Sequence, residues 1–302
     1  MALDAASTDK NTWARQATVI ALAVLHPRVS PRAVEPFQGE TCRIMIRENL
    51  DTSGPAGSAL IFGGDGTIHR YLTQLRQSRI PALIVPKGSG NDFAKALGIV
   101  SERIAVEAWR AFCSTGKNLR EIDLGIIQSG KRETLFCCVL GAGLDSVANE
   151  RANRMPAWLR GSAGYFLAAL WSLPSFQPVK LSVSAPMREI RRSGFLIAVA
   201  NAHRYGRGMK IAPRAQLDDG LLDVCLVGAM SKLKLLAAIP TVFFGAHLSI
   251  RQVEYFQAAE VRIDAERPLE IYADGEFACH TPVTIRLLPK ALRVIVPPEA
   301  FA

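Results

Sequence analysis

The chain has 302 residues, of which 49% are hydrophobic and 21% are charged, and its formal net charge is +9. This composition excludes a disordered chain and allows one large domain or two modest ones, each with its own core. The positive charge favours an anionic partner, and nucleic acid, anionic lipid and nucleotide all meet that condition.

Two apolar stretches are candidates for membrane or export signals. Ala17–Leu25 is short, lacks a small-residue cleavage site and is followed at once by a His-Pro-Arg sequence, so it predicts a buried first strand rather than a signal-peptide core. Leu233–Leu248 contains Lys234, Pro240 and His247 and falls short of the roughly 20 apolar residues that a span needs. We therefore expect a cytoplasmic protein.

The first part of the chain, residues 17 to about 118, alternates short apolar runs with helical stretches. Strand–turn–helix repetition predicts a doubly wound α/β domain with a parallel sheet. The predicted strands are Val19–Leu25, Arg43–Ile46, Ala59–Phe62 and Ala82–Val85, and the predicted helices are Thr67–Gln77, Asn91–Leu97 and Ser101–Cys113.

After Asp123 the chain consists mainly of short β-rich runs, several with two-residue alternation. This pattern predicts an antiparallel β-sandwich, interrupted by helical insertions near 145–172 and 231–248. We assign residues 1–118 to the α/β domain, rejoined by the tail 288–302, and residues 119–287 to the sandwich. The predicted strands are Leu135–Leu140, Val179–Ser184, Phe195–Ala200, Leu221–Val227, Val261–Ile263, Leu269–Ala273, Val283–Leu287 and Leu292–Val296.

Two glycine-rich turns follow predicted strands and precede predicted helices, at 63–67 and 88–92. Glycines let the backbone approach a ligand closely, and the N–H groups of the following helix start attract an anion. Turns at the carboxyl ends of neighbouring parallel strands form one crevice, which predicts a nucleotide site. Its candidate residues are Gly63, Gly64, Asp65, Gly66, Thr67, Gly88, Ser89, Asn91 and Asp92.

The carboxylates in these turns favour a metal-bound nucleotide. Asp65 and Asp92 would repel a phosphate unless a cation such as Mg²⁺ lay between them. Neither turn fits the P-loop pattern or the dinucleotide-binding GxGxxG pattern. The alternative is that both are ordinary αβ turns whose aspartates cap helices.

Several motifs together resemble the diacylglycerol kinase catalytic-domain family, which includes sphingosine kinases, ceramide kinases and bacterial soluble lipid kinases. The chain has GGDGT at 63–67 and PKGSGNDFAKALG at 86–98. Further matches follow in the family's order at 123–125, 141–145, 212–223 and 274–276, so the resemblance covers roughly 60–280.

The resemblance implies ATP-dependent transfer of a phosphoryl group to a hydroxyl of a membrane lipid of the diacylglycerol, ceramide or sphingoid type. It implies ATP bound between an NAD-kinase-like α/β domain and the β-sandwich. Glu276 and Asp65 are the candidate catalytic residues, with Glu276 as the general base. It also implies a Mg²⁺ site at Asp219, with the carbonyls of Gln216 and Leu221. Asp65, Asp92 and Asp123 would join this metal through a carboxylate–water network.

The sequence departs from the family pattern in two places. The family usually has Asn-Glu or His-Glu shortly after GGDGT, whereas this chain has His69-Arg70. The opening loop and the second helix of the family's N-terminal lobe are shortened in this chain. The family's adenine contacts are therefore not assigned to residues of that region. These departures keep open a kinase-derived, non-catalytic nucleotide- or lipid-binding protein, and an NAD-kinase-like enzyme acting on a soluble acceptor is a further alternative.

The remaining polar and aromatic residues carry weaker signals. Histidines 69, 247 and 280 have no partner in the sequence and are interpreted as structural. The basic run of His203, Arg204, Arg207 and Lys210 predicts either phosphate contacts or a solvated loop. The six cysteines are interpreted as buried small apolar side chains in a reducing compartment.

The first helical insertion predicts either core packing or a lipid entrance at an anionic membrane surface. The chain would then be peripherally associated with the inner face of the membrane. Nucleic acid is not expected as a partner because the basic residues are scattered, and a homodimer is left open. The residues that carry this hypothesis are Arg151, Arg154, Trp158, Arg160, Tyr165, Phe166, Leu167, Leu170 and Trp171.

Overall fold

The computed structural model describes residues 19–51, 56–155, 167–168, 170–206 and 208–298. The predicted fold class is confirmed: an N-terminal α/β domain adjoins a C-terminal antiparallel β domain. Within the described ranges, no helix is long and apolar enough to cross a bilayer.

The N-terminal domain contains four parallel strands in the order β2-β1-β3-β4. The two central runs, VIALAVL and SALIFG, are apolar and largely buried, as expected for a sheet that helices cover on both faces. The elements are β1 (Val19–Leu25), a 3₁₀ helix (Pro31–Phe37), β2 (Cys42–Arg47), β3 (Ser58–Gly63), α1 (Asp65–Ser78), β4 (Ala82–Pro86), α2 (Asp92–Ala96) and α3 (Glu102–Thr115).

The C-terminal domain is built mainly from antiparallel strands, with β7, β9 and β10 at its centre. Its elements are β5 (Leu119–Ser129), β6 (Arg132–Phe136), β7 (Val139–Gly143), α4 (Leu144–Arg154), β8 (Val179–Ala185), β9 (Arg188–Ala200), β10 (Leu222–Gly228), α5 (Lys232–Ala238), 3₁₀ helices at Ile239–Phe244 and Ala246–Ser249, β11 (Val253–Ala258), β12 (Glu260–Ala265), β13 (Glu270–Ala273), β14 (Glu276–His280) and β15 (Val283–Ile295).

Strands β5 and β15 form a long antiparallel ribbon that joins the two domains. The separate strands predicted at 283–287 and 292–296 are wrong, because a backbone irregularity between Leu288 and Leu292 lets one strand continue through both. The end of β15 lies parallel to β4, with Val294 opposite Ala82. The tail therefore reaches the N-terminal sheet, while the boundaries at 118 and 288 stay predictions.

The predicted strand Leu135–Leu140 is also wrong, because it divides into β6 and β7 at a bend. A side chain that is distant in sequence holds this bend. The backbone N–H groups of Cys137, Cys138 and Val139 donate to the carboxylate of Asp274. Strands β5, β11 and β14 were not predicted.

Two of the cysteines are bonded to each other, which corrects the interpretation of all six as free thiols. Cys42 in β2 and Cys113 in α3 form a disulfide across 71 residues of sequence. Close by, the Trp109 indole N–H donates to the carbonyl of Phe37 at 2.8 Å, so α3 is fixed against the 3₁₀ helix. The other four cysteines are free.

Candidate active site

The two glycine turns touch each other through their backbones. Lys87 N–H donates to the carbonyl of Gly63 at 2.9 Å. A Cβ added at Gly64 would lie 2.9 Å from the Cα of Gly88, and one at Gly63 would lie 2.4 Å from Oγ1 of Thr67. Only glycine allows these approaches, so the two predicted turns meet in a backbone contact at the ends of β3 and β4.

The second turn is closed by Asn91. Its side-chain Oδ1 accepts from Gly88 N–H and its Nδ2 donates to the Gly88 carbonyl, both at 2.8 Å. Asn91 adopts the left-handed conformation with φ 55°, which asparagine tolerates better than most residues. Gly88 and Ser89 are exposed at the tip of this turn, where a ligand can reach them.

Asp65 is the first residue of α1, and its carboxylate binds the start of α2. Oδ1 accepts from Phe93 N–H at 3.0 Å and Oδ2 from Asp92 N–H at 3.2 Å. Burial raises the pKa of Asp65, and these two backbone hydrogen bonds oppose the rise. Asp65 therefore links the two glycine turns. These hydrogen bonds account for the position of its carboxylate through contacts within the protein alone.

The turn between β13 and β14 brings Glu276 to the first turn of α1. A Cβ added at Gly66 would lie 2.9 Å from Oε1 of Glu276. The Glu276 side chain comes from the C-terminal domain and is exposed. The two parts of the chain that sequence analysis placed in one site thus meet at these two residues.

His69, four residues after Asp65 on α1, has a partner, so the interpretation of His69 as a histidine without one is wrong. Its Nδ1 lies 3.2 Å from Oδ2 of Asp274, whose side chain is completely buried. Burial lowers the pKa of His69, but the Asp274 hydrogen bond and the charges of Asp274 and Glu276 outweigh that effect and raise it overall.

The predicted metal loop, 216–221, is organised by Asp123. This buried carboxylate accepts from Gly220 N–H at 2.9 Å and from Lys290 N–H at 2.8 Å, and Asp123 N–H donates to the carbonyl of Leu217 at 2.7 Å. Asp123 therefore attaches the loop to β5 and to the irregular part of β15.

The acidic residues of this loop have different environments. Asp219 is exposed, and its carboxylate accepts from Leu221 N–H at 3.0 Å and Gln257 Nε2 at 3.3 Å. Asp218 forms a bidentate ion pair with Arg120, and this hydrogen bond lowers the pKa of Asp218. Asp219 is thus a solvent-facing carboxylate of the loop that no cation neutralises among the described contacts.

Asn201, which was not predicted, connects the candidate metal loop with the Glu276 turn. Its Nδ2 donates to the carbonyls of Asp123 and Cys137 at 2.9 and 3.1 Å. Cys137 N–H in turn donates to Asp274. The only sequence signal is the Asn that follows the apolar end of β9, which is too common to single out.

Cys137, Cys138 and Asp274 offer possible metal ligands within 4.8 Å of one another. Burial raises the pKa of the Cys137 thiol to about 12, and the hydrogen bond with Cys137 raises the pKa of the Cys138 thiol further. Thiols bind metal as thiolates, and the Asp274 carboxylate is already bonded to backbone N–H groups. This cluster therefore serves to fix the β6–β7 bend.

The donor atoms present fit the implied substrate and metal. The Gly64–Gly88 approach leaves a surface of peptide groups at the start of α1, which suits phosphate. At the other loop, an exposed carboxylate and peptide carbonyls are hard oxygen donors of the kind that Mg²⁺ prefers.

The other predicted residues lie outside this cluster or outside the described chain. His203 is half-buried, and burial, followed by the charges of Arg204 and Lys210, lowers its pKa. His247 is buried, and its Nε2 donates to the carbonyl of Ile211 at 3.1 Å. In the first insertion, Trp171 is 58% exposed. Arg207, Trp158, Arg160, Tyr165 and Phe166 are not among the described residues.

Two family models match this chain. One, described as the diacylglycerol kinase catalytic domain, covers residues 37–127. The other, described as the YegS C-terminal NAD kinase beta sandwich-like domain, covers residues 138–296. They correspond to the two halves that meet at Gly66 and Glu276.

Known relatives agree with this assignment. A diacylglycerol kinase of Mycobacterium tuberculosis is 35% identical over 248 residues, which span 80% of this chain and 77% of the relative. The structure of a diacylglycerol kinase from Bacillus anthracis has a TM-score of 0.69 at 18% identity, covering 93% of this chain and 97% of the other. An NAD kinase from Archaeoglobus fulgidus in complex with ATP has a TM-score of 0.54 at 13% identity, covering 94% and 96%. The chain belongs to the diacylglycerol kinase family, the family of the YegS-like lipid kinases.

Proposed function

We propose that this lipid kinase transfers the γ-phosphoryl group of ATP to a hydroxyl of membrane diacylglycerol, with Glu276 as the general base. The observation that carries the proposal is the approach of Glu276 Oε1 to Gly66. It brings an exposed carboxylate of one domain to the helix start of the other, beside the turn that we propose binds phosphate.

The glycine turns would bind the phosphates of ATP. Their backbones are in contact at Gly64 and Gly88, so a phosphate bound at one turn would also adjoin the other. Helix α1 has 14 residues, and the positive end of its dipole adds to this attraction. Asp65 keeps the turns in register by capping α2. Ser89 at the exposed tip would contact the nucleotide.

Glu276 would accept the proton of the acceptor hydroxyl. The hydroxyl oxygen of the acceptor would bond to the γ-phosphorus while the bond between that phosphorus and the leaving ADP breaks. An exposed position allows a lipid hydroxyl to reach it from outside the protein. His69 and Asp274 fix the turn on which Glu276 is carried. Through this contact, the position of the base depends on helix α1.

The loop 216–221 would hold Mg²⁺ through Asp219 and the carbonyls of Gln216 and Leu221. Asp123 and Asp92 would support it, Asp123 by binding the loop backbone. The metal, when bound, would supply positive charge that offsets the charge of the phosphates.

The Mycobacterium tuberculosis relative is named a diacylglycerol kinase, so diacylglycerol is the first acceptor to test, before ceramide and sphingoid bases. Such a substrate requires an enzyme that works at the inner face of the membrane, and the net charge of +9 favours an anionic surface. A homodimer would be compatible with this arrangement.

The decisive test supplies purified acceptors in detergent micelles with labelled ATP and magnesium. Diacylglycerol, ceramide, sphingosine and soluble NAD are assayed separately, and Glu276→Gln is the matched inactive control. We expect label on diacylglycerol and little on NAD. Label on NAD alone would establish a soluble acceptor. A folded protein that binds ATP and labels nothing would be a non-catalytic binding protein.

A further inference from the structure

The second helical insertion exposes a group of large apolar side chains. Leu233, Leu236 and Phe244 are 80%, 42% and 82% exposed, and they lie on α5 and the 3₁₀ helix that continues it. Single exposed apolar residues are normal, but a group of them marks an interaction surface. We refer to these three residues with Lys232 and Lys234 as the docking surface.

The stretch of sequence that carries the docking surface has only positive charges. The sequence has no Asp or Glu between Asp223 and Glu254, and this stretch contains Lys232, Lys234 and Arg251. Apolar side chains beside cations suit the boundary between the headgroups and the acyl chains of an anionic leaflet. A second copy of this chain would bring the same positive charge to the contact and is disfavoured as the occupant.

The insertion is attached to the catalytic body rather than projecting freely. Lys210 N–H donates to the carbonyl of Val242 at 3.1 Å, and His247 Nε2 donates to the carbonyl of Ile211 at 3.1 Å. Both contacts join it to the segment that leads into the candidate metal loop. A membrane bound at the docking surface would therefore fix the orientation of that loop.

The docking surface also adjoins the first helical insertion. The Lys232 ammonium donates to the carbonyl of Pro174, three residues after the exposed Trp171. Tryptophan is enriched at membrane–water interfaces because its ring is apolar and its N–H is polar. The two insertions thus present exposed apolar groups on adjoining segments of the C-terminal domain.

We propose that the docking surface inserts Leu233, Leu236 and Phe244 into an anionic lipid leaflet, while Lys232 and Lys234 contact the headgroups. This proposal rests on the proposed function, since it explains how an enzyme reaches a lipid hydroxyl in a membrane. It assigns the membrane contact to residues 232–244, whereas the sequence had pointed to the first insertion.

The test measures binding of the full chain to sedimented vesicles of phosphatidylcholine with and without phosphatidylglycerol. The variant Leu233→Ser with Phe244→Ser is expected to lose about 100-fold in affinity for the anionic vesicles, since each side chain buried in lipid contributes about tenfold or more. Lys234→Gln should lose roughly fivefold, and only on anionic vesicles. Met187→Ser is the matched control, because Met187 is 99% exposed in the turn between β8 and β9, and its binding should not change.

Three outcomes would overturn the proposal: undiminished vesicle binding by the double variant, equal binding to neutral and anionic vesicles by the native chain, or a native dimer that the double variant converts to monomer. The last would make a second copy the occupant. Kinase activity on a water-soluble, short-chain diacylglycerol separates this proposal from the proposed function. The double variant should phosphorylate this acceptor at the native rate, because the acceptor needs no lipid surface, whereas a native chain that phosphorylates neither this acceptor nor micellar lipid contradicts the function and not the docking.

Discussion

His69 Nδ1 lies 3.2 Å from Asp274 Oδ2, although the two residues are 205 positions apart in the chain. His69 is on the second turn of α1 and Asp274 is two residues before Glu276. Asp274 also accepts three backbone hydrogen bonds from the β6–β7 bend, so its position is fixed. The contact therefore sets where the turn with the proposed base lies relative to the glycine turn at Gly66.

His69→Ala should lower turnover by about tenfold to 100-fold, the worth of a hydrogen bond to a charged group. Binding of ATP should change little, because the glycine turns are untouched. His69→Asn offers an amide N–H to Asp274 and should recover much of the loss. Arg70→Ala changes the neighbouring exposed residue and serves as the control. Equal turnover for the native chain and His69→Ala would show that His69 does not position the base.

The same pair should make stability depend on pH. Burial lowers the pKa of His69, but Asp274 and Glu276 raise it overall above its ordinary value of 6.5. Because the pKa of His69 is higher in the folded state, its ion pair contributes fully to the unfolding free energy below the pKa of the unfolded state. This contribution is lost as pH rises through the pKa of the folded state. The difference in unfolding free energy between the native chain and His69→Asn, measured with urea, should shrink as pH rises above 6.5 and through the raised pKa of His69. A difference that is constant with pH would contradict the ion pair.

Glu276→Gln keeps the size of the side chain and removes the base. Turnover should fall by roughly 10²–10⁴-fold, the usual effect of a positioned base, while ATP affinity stays close to native. Single-turnover rates and calorimetric ATP binding on one preparation give both quantities. Glu266→Gln, on an exposed loop, makes the same charge change and should be neutral. Loss of ATP binding by a folded Glu276→Gln protein would assign Glu276 to the nucleotide site instead.

Asp219→Asn should raise the magnesium concentration needed for half-maximal rate, because it removes an exposed anionic oxygen from the loop. Asp218→Asn is the matched neighbour: it breaks the ion pair with Arg120 and should leave the magnesium titration unchanged. A magnesium requirement that rises equally in both variants would indicate a distorted loop rather than a lost ligand.

Asp65→Ala should lower both ATP affinity and stability. It leaves the N–H groups of Asp92 and Phe93 without their acceptor at the start of α2, at a cost of about 1–3 kcal/mol in unfolding free energy. Urea unfolding and ATP calorimetry measure the two effects. Near-normal turnover and stability in this variant would mean that the contact between the glycine turns does not depend on Asp65.

The sequence alone determined the elements whose signals are local. Buried apolar runs such as Ala59–Phe62 and Ala82–Val85 predicted the parallel strands, because a strand covered on both faces needs apolar side chains throughout. The glycines after these strands predicted two tight turns that adjoin each other, since close backbone approach requires the absence of a side chain at those positions.

The tertiary structure decided the contacts between segments that are far apart. His69 with Asp274, Cys42 with Cys113, and Asn201 with Asp123 carry no pattern in the sequence, because the partners are selected by how the two domains and their sheets pack. The spacing of apolar residues indicates which face of a helix or strand is buried. It does not indicate which side chain of another element packs against that face. The bend at 137–138 also results from a contact between distant segments. The apolar residues there predict one strand, and the carboxylate of Asp274 divides that strand by accepting hydrogen bonds from its backbone.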